Sequence, residues 1–123
     1  ARANELGERY VKNYFATVVE HYEIHGKHFQ GTKGYEFYAS AAEMIEAIGL
    51  AEMATMYASV NTFGTPDQIV EKIEAQRQIT GCDIDVLAIT KYGGMTQAEA
   101  ESSMRLFADE VSPRLRATSR AAA

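Results

Sequence analysis

Hydrophobic positions in the first half of the chain recur with the spacing of helices. From Asn4 to about Glu23, apolar side chains return every three or four residues, which is the pattern of a helix that buries one face. The same spacing predicts a second helix from about Phe37 to Ile48 and a short third helix from Ala51 to about Ala58. We therefore expect residues 1–60 to be mostly helical.

After residue 60 the pattern changes, because strong helix-start signals alternate with short apolar runs. Thr65 can cap a helix that Pro66 opens, and Gln68 completes a capping box with that threonine. Thr96 and Glu99 form a second capping box, which predicts the start of the last helix. Each of these two helices should therefore begin at a well-defined residue.

Two apolar runs in this half predict short strands. Cys82 to Thr90 is apolar with little alternation, as is typical of a strand buried on both faces of a parallel sheet. A shorter strand is predicted within Tyr57 to Phe63. With the two capped helices, these runs predict a βαβα unit over residues 61–115, followed by a frayed tail at residues 116–123. The predicted fold class is therefore α/β, with about two parallel strands.

Two parallel strands are too few to form a stable sheet. Such strands need further parallel neighbours and helices on both faces, and the run from Asp85 to Thr90 would otherwise stay uncovered. We therefore expect either that the chain forms a homo-oligomer or that it is a fragment of a larger α/β protein. In both cases we expect residues 1–123 to form a single domain or fragment.

Three stretches of the second half resemble the C-terminal end of the luciferase-like flavin-dependent monooxygenases. They are FGTPDQIVEKI, which starts at Phe63, then TGCDIDVLAI, and then YGGMTQAEAESSMRLFADEVSPRL, which ends at Leu115. The stretches RYVKNYFATVVEHYEI and GTKGYEFYA are similar to the helices that precede this region in some members of the family. The resemblance runs from about Glu8 to Leu115, which is nearly the whole chain.

The resemblance implies a (β/α)8 TIM barrel, a fold that usually takes about 250 residues. This chain would hold the last two βα units and the helices before them, and the first six strands would be missing. The family holds part of the flavin through earlier loops, which this chain lacks. The isolated chain is therefore expected to be inactive.

The resemblance also implies a cofactor and a reaction. The cofactor would be reduced FMN, which reacts with O2 so that one oxygen atom enters a small organic substrate, or alternatively a deazaflavin. A flavin reductase would be a partner, together with the remainder of the barrel. The alternative is a non-catalytic, self-associating α/β module descended from that family.

The loop after the second predicted strand is the candidate cofactor site. In barrels of this kind, active sites lie at the carboxyl ends of the strands, and two glycines permit a flat ring to approach the backbone closely. The alternative interpretation is a tight turn whose glycines only satisfy its geometry. The candidate cofactor-binding residues are Tyr92, Gly93, Gly94 and Met95.

Aromatic and histidine side chains near the end of the first helix, and in the loop after it, give a candidate substrate site. A loop of this composition can close over a substrate beside a flavin, although such residues more often cover the edge of a hydrophobic core. The candidate substrate-binding residues are His21, Tyr22 and Tyr35. No metal site is predicted, because no cysteine accompanies the histidines, and no residue is assigned a catalytic role.

Composition and charge narrow the classes of partner. The 123 residues carry a formal net charge of −5 and a pI of about 5.2, which argues against nucleic acid and anionic membranes as partners. No run of about 18 apolar residues occurs, so a membrane span is not expected. The single cysteine, Cys82, excludes an internal disulfide and favours a reducing, cytoplasmic location.

Overall fold

The regular structure of this chain is helical. The computed structural model describes residues 1–82 and 84–121, with side chains as far as Thr118. A short 3-10 turn lies between the first two helices, and a π-helical turn joins the last two. The elements in chain order are α1 (Arg2–His21), the 3-10 turn (Lys27–Phe29), α2 (Glu36–Ile48), α3 (Leu50–Val60), α4 (Pro66–Thr80), α5 (Gln97–Leu106), the π turn (Phe107–Val111) and α6 (Ser112–Ala121).

The α/β prediction, with its parallel strands and truncated TIM barrel, is wrong for this structure. No residue in the described ranges belongs to a strand. The first predicted strand, Tyr57 to Phe63, is the end of α3 followed by a loop. The second, Cys82 to Thr90, has no regular secondary structure over its described residues. A strand exists only through hydrogen bonds to a neighbour, and nothing among the described residues provides one.

The three helices predicted in the first half are confirmed, and their ends lie within two residues of the predicted ones. The third extends two residues beyond the predicted end, to Val60, and buries Ala54 and Ala58. This continuation removes the residues that the first predicted strand would have used.

The two capping boxes are also confirmed. The hydroxyl of Thr65 accepts a hydrogen bond from the Gln68 N–H at 3.4 Å, and the Gln68 side chain accepts one from the Thr65 N–H at 2.9 Å. Thr96 and Glu99 make the same reciprocal pair, at 3.2 and 2.9 Å. Both helices therefore begin where the local sequence satisfies their free N–H groups.

The chain divides into two compact units, one of residues 8–61 and one of residues 1–7 with 62–123. We call them unit 8–61 and unit 62–123. The core of unit 8–61 is formed by Val19, Ile24, Ala42 and Ile45. The core of unit 62–123 is formed by Ile73, Val111 and Leu115, with Ile69, Val70, Ile84 and Phe107 packed against it.

The C-terminal helix is tied to α4 by side-chain contacts. Thr118 donates a hydrogen bond to the Glu74 carboxylate at 2.6 Å, and Arg114 pairs with Asp67 at 2.7 Å. These contacts hold α6 through part of the stretch that the sequence predicts to fray, whereas residues 122–123 lie outside the described residues. None of the described helices combines the length and the hydropathy that crossing a bilayer requires.

Candidate functional site

The candidate cofactor residues form a tight turn immediately before the cap of α5. The Met95 N–H donates to the Tyr92 carbonyl at 3.2 Å, and the Tyr92 N–H donates to the Met95 sulfur at 3.2 Å. Gly94 has a φ of 81°, which matches the third position of a type II turn, where glycine is strongly favoured. The alternative interpretation, a turn whose geometry requires glycine, therefore accounts for Gly94.

The neighbouring glycine is not explained by the turn. A Cβ atom added at Gly93 would meet no heavy atom within 4 Å, and its φ lies outside the range that disfavours side chains. Gly93 is exposed, whereas Tyr92 and Met95 are half-buried on either side. The backbone at Gly93 is therefore open to the close approach of another molecule.

The segment leading into this turn is apolar and uncovered. We call residues 84–90 the apolar segment. Leu87 is 94% exposed and Ile89 is 61% exposed, while Ile84 packs against the core of unit 62–123. None of the backbone N–H or C=O groups of these residues forms a hydrogen bond within the described chain. Over these seven consecutive residues, of which five are apolar, the backbone is thus unpaired.

A cleft of about 430 Å3 lies beside the start of this segment. Its volume falls within the range of small-molecule sites. Two cationic side chains and one carboxylate are among its lining residues, but the Tyr92–Met95 turn is not. The lining residues are Arg77, Ile84, Asp85, Val86, Phe107, Ser112, Leu115 and Arg116.

Arg77 is the best-anchored side chain of the cleft. One of its terminal nitrogens donates to the Glu74 carboxylate at 2.7 Å, to the Thr118 hydroxyl at 2.9 Å and to the Leu115 carbonyl at 3.3 Å. Its Nε is buried and has no hydrogen-bond partner among the described residues. A role for Arg77 could not be predicted from the sequence, because its partners Leu115 and Thr118 come from a helix about forty positions away and leave no local pattern.

The candidate substrate residues lie in unit 8–61 and do not form one cluster. His21 and Tyr22 are exposed at the end of α1, and their side chains make no hydrogen bond or ring contact within the described chain. Tyr35 instead stacks on Phe29 with ring centroids 5.5 Å apart, and Tyr38 stacks on the same ring at 5.1 Å.

This aromatic cluster favours the structural interpretation of Tyr35. Phe29 packs against the core of unit 8–61, so the two tyrosines cover the edge of that core while remaining nearly half exposed. The composition of the loop predicts the same alternative. A role for Tyr35 in substrate binding stays a prediction.

The ionisable groups of the same loop show one clear electrostatic effect. The Glu36 carboxylate accepts a hydrogen bond from the Gly34 N–H at 3.0 Å, and this bond lowers the pKa of Glu36 below its ordinary value. Across the part of the chain that the structure describes, no group of three or more histidine, cysteine, aspartate or glutamate side chains is arranged to hold a metal ion.

Comparison of this chain with protein-family models, with curated proteins and with solved structures finds no match.

Proposed function

We propose that this chain is a truncated member, or a part, of a luciferase-like flavin-dependent monooxygenase, and that the Tyr92–Met95 turn is its contribution to the flavin site. The observation that carries the proposal is the open backbone at Gly93, where the turn itself does not require a glycine. A planar ring system can approach the backbone more closely at a glycine than at a residue that carries a side chain. The motif resemblance supports reduced FMN, or a deazaflavin, as that ring system.

The cofactor would supply the oxygen chemistry, by which one atom of O2 enters a small organic substrate, and the protein would bind and orient it. Within this chain, Gly93 and Gly94 would lie against the ring, with the half-buried side chains of Tyr92 and Met95 at its edge. His21, Tyr22 and Tyr35 remain candidates for contacts with the substrate. A flavin reductase and a cytoplasmic location belong to the same proposal.

The exposure of the turn indicates that the chain does not complete this site by itself. Gly93 and Gly94 are both open to solvent, whereas flavin oxygenation requires a site from which water is excluded. The uncovered apolar segment lies directly before the turn. Further polypeptide that covers the segment would also lie close to the flavin, which is why we expect the function to need it.

An anaerobic titration with reduced FMN tests the flavin site. We expect weak but saturable binding by the wild-type chain, and binding about tenfold weaker in Gly93→Ala, a loss of roughly 1.4 kcal/mol. The added Cβ meets nothing within 4 Å, so Gly93→Ala should melt at or slightly above the wild-type temperature. The exposed Ser102 gives the control Ser102→Ala, which should bind like wild type. Absence of saturable binding, or equal binding by wild type and Gly93→Ala, would contradict the proposal.

The second candidate function is a non-catalytic, self-associating module. Its support is the apolar segment, because the side chains of Leu87 and Ile89 are exposed to solvent and the backbone groups of the segment form no hydrogen bonds within the described chain. Apart from Tyr10, which carries a phenol, none of the buried residues in the described ranges has a polar or charged side chain, although active sites commonly bury ionisable groups. A chain that associates strongly but binds no flavin would favour this candidate over the first.

A further inference from the structure

The apolar segment has the composition and the free groups of a strand that lacks its neighbour. Four of its seven residues are isoleucine, valine or threonine, which favour strands. Its unpaired N–H and C=O groups are a template for another extended chain. The helices of unit 62–123 already lie against one end of it, through Ile84. A two-stranded ribbon that packs on a helix meets the usual condition for stability, which an isolated hairpin does not.

Asp85, near the start of the segment, and Lys91, directly after its end, are complementary when a second copy runs in the opposite direction. Asp85 lies three residues before Ala88, and Lys91 lies three residues after it. Asp85 makes no hydrogen bond or ion pair within the described chain, and Lys91 donates only to the Gln97 side chain at 3.3 Å. Two copies placed antiparallel about Ala88 therefore bring each aspartate opposite the lysine of the other copy.

We propose that two copies of this chain associate through their apolar segments as an antiparallel two-stranded ribbon with Ala88 on the two-fold axis. In this register Asp85 opposes Lys91, Val86 opposes Thr90 and Leu87 opposes Ile89 of the second copy. Opposing residues in an antiparallel pair lie on the same face of the ribbon. The two leucines and two isoleucines thus pack across the strands on one face.

Neighbouring registers are less favourable. Moving the axis to Leu87 puts Asp85 opposite Ile89, and moving it to Ile89 puts Leu87 opposite Lys91, so each places a charge beside an apolar side chain. A shift of the pairing by a single position, which puts the axis between two residues, exchanges the two faces of one strand relative to the other. That shift would set the helices that contact Ile84 on opposite sides of the ribbon.

This inference rests on the second candidate function, and its test does not involve flavin. Sedimentation of the flavin-free protein at micromolar concentrations should give a mass near twice the chain mass of 13.6 kDa. Leu87→Asp should shift the protein to the monomer, because it places a carboxylate in the cross-strand contact. Ile79→Asp is the matched control, since Ile79 is also highly exposed, at 85%, but lies on α4. The mass measured for this variant should remain that of the dimer.

A charge exchange tests the register. Lys91→Asp should weaken the dimer about tenfold, because like charges then face each other in two symmetric positions. The double variant Asp85→Lys, Lys91→Asp should restore wild-type affinity, whereas Lys33→Asp on the other unit should have no effect. All of these side chains are exposed, so circular dichroism should show unchanged folding.

A disulfide provides an independent measurement of the axis. In a Cys82→Ser background, Ala88→Cys should crosslink two chains under oxidised glutathione, because directly opposed residues lie within the roughly 4.4–6.8 Å between Cα atoms that a disulfide needs. Thr90→Cys should not, since its counterpart would lie about 13 Å away along the ribbon. A monomer throughout the concentration range, a double variant that does not recover, or equal crosslinking by both cysteines would overturn the proposal. Flavin binding could still be observed in each of these cases.

Discussion

A glycine near the start of α1 illustrates how one side chain can determine the residue at another position. A Cβ atom at Gly7 would lie 2.5–2.9 Å from the Cδ2, Cγ and Cβ atoms of Phe63. Two of these atoms are close to the backbone and have little freedom to move. The aromatic ring therefore occupies the space that any other residue at this position would need.

Gly7→Ala should consequently lower the free energy of unfolding, although alanine is favoured over glycine inside a helix by about 1 kcal/mol. Denaturant unfolding measures the effect. The same substitution should cost less in a Phe63→Ala background, because the two ring atoms Cδ2 and Cγ are then gone and only the Cβ atom of residue 63, at 2.9 Å, remains in the way. A gain in stability from Gly7→Ala in the wild-type chain would contradict the packing described here.

The hydrogen bond from Gly34 to Glu36 predicts a pH-dependent contribution to stability. Because the pKa of Glu36 is lowered in the folded chain, ionised Glu36 stabilises it at pH values above the ordinary 4.5, and this contribution is lost as the pH falls through the folded pKa. Glu36→Gln should therefore destabilise the protein near neutral pH and have little effect at strongly acidic pH. Glu43→Gln, on an exposed carboxylate without a hydrogen bond in the described chain, is the control. An effect of Glu36→Gln that did not change with pH would exclude this explanation.

At the scale of elements, the starts of α4 and α5 depend on two threonine hydroxyls. Thr65→Ala and Thr96→Ala should each cost about 1 kcal/mol of stability, because each leaves a helix N–H without its capping acceptor. Thermal or denaturant unfolding measures the loss. Thr55→Ala is the matched control, since its hydroxyl only bonds the carbonyl four residues earlier within α3. Wild-type stability in both capping variants would mean that these boxes do not hold the helix starts.

The elements that could be predicted from the sequence are those determined locally. A capping box needs residues three positions apart, and a helix face needs residues three or four apart, so Thr65, Thr96 and the apolar stripe of α1 could all be interpreted from short windows. A strand needs a partner that a short window does not contain. Residues 82–90 have the composition of a strand, but the described chain provides no partner for them.

The residues of the candidate sites also fall into those that a short stretch of sequence predicts and those whose contacts depend on the fold. The Tyr92–Met95 turn could be predicted, because two adjacent glycines before a capping threonine are visible in the sequence. The cleft lined by Arg77 could not be predicted, because Arg77 meets Leu115 and Thr118 only after α4 and α6 pack together. Tyr35 was placed in a loop by the sequence, but its stacking on Phe29 depends on the fold of unit 8–61.

At the scale of the whole molecule, the open turn and the exposed apolar segment support our proposal that the chain acts as part of an assembly. The described part of unit 62–123 has a small core around Ile73, Val111 and Leu115, while Leu87 and Ile89 remain outside it. Pairing of two apolar segments would satisfy those of their backbone groups that face the partner strand. It would not by itself enclose the turn, so the proposed association and the proposed flavin site can be tested separately.

We therefore expect negligible oxygenation when the purified chain is mixed with reduced FMN, O2 and an aldehyde or ketone. Gly93 and Gly94 are exposed, so water reaches any flavin bound beside them, and the flavin should be reoxidised as fast as free flavin without yielding an oxygenated product. Mass spectrometry of the organic fraction measures product, and a protein-free mixture is the control. The Leu87→Asp variant should behave like wild type, because dimerisation leaves the turn open. Product above the protein-free level would show that these 123 residues enclose a working flavin site, and our inference that further polypeptide is required would then be wrong.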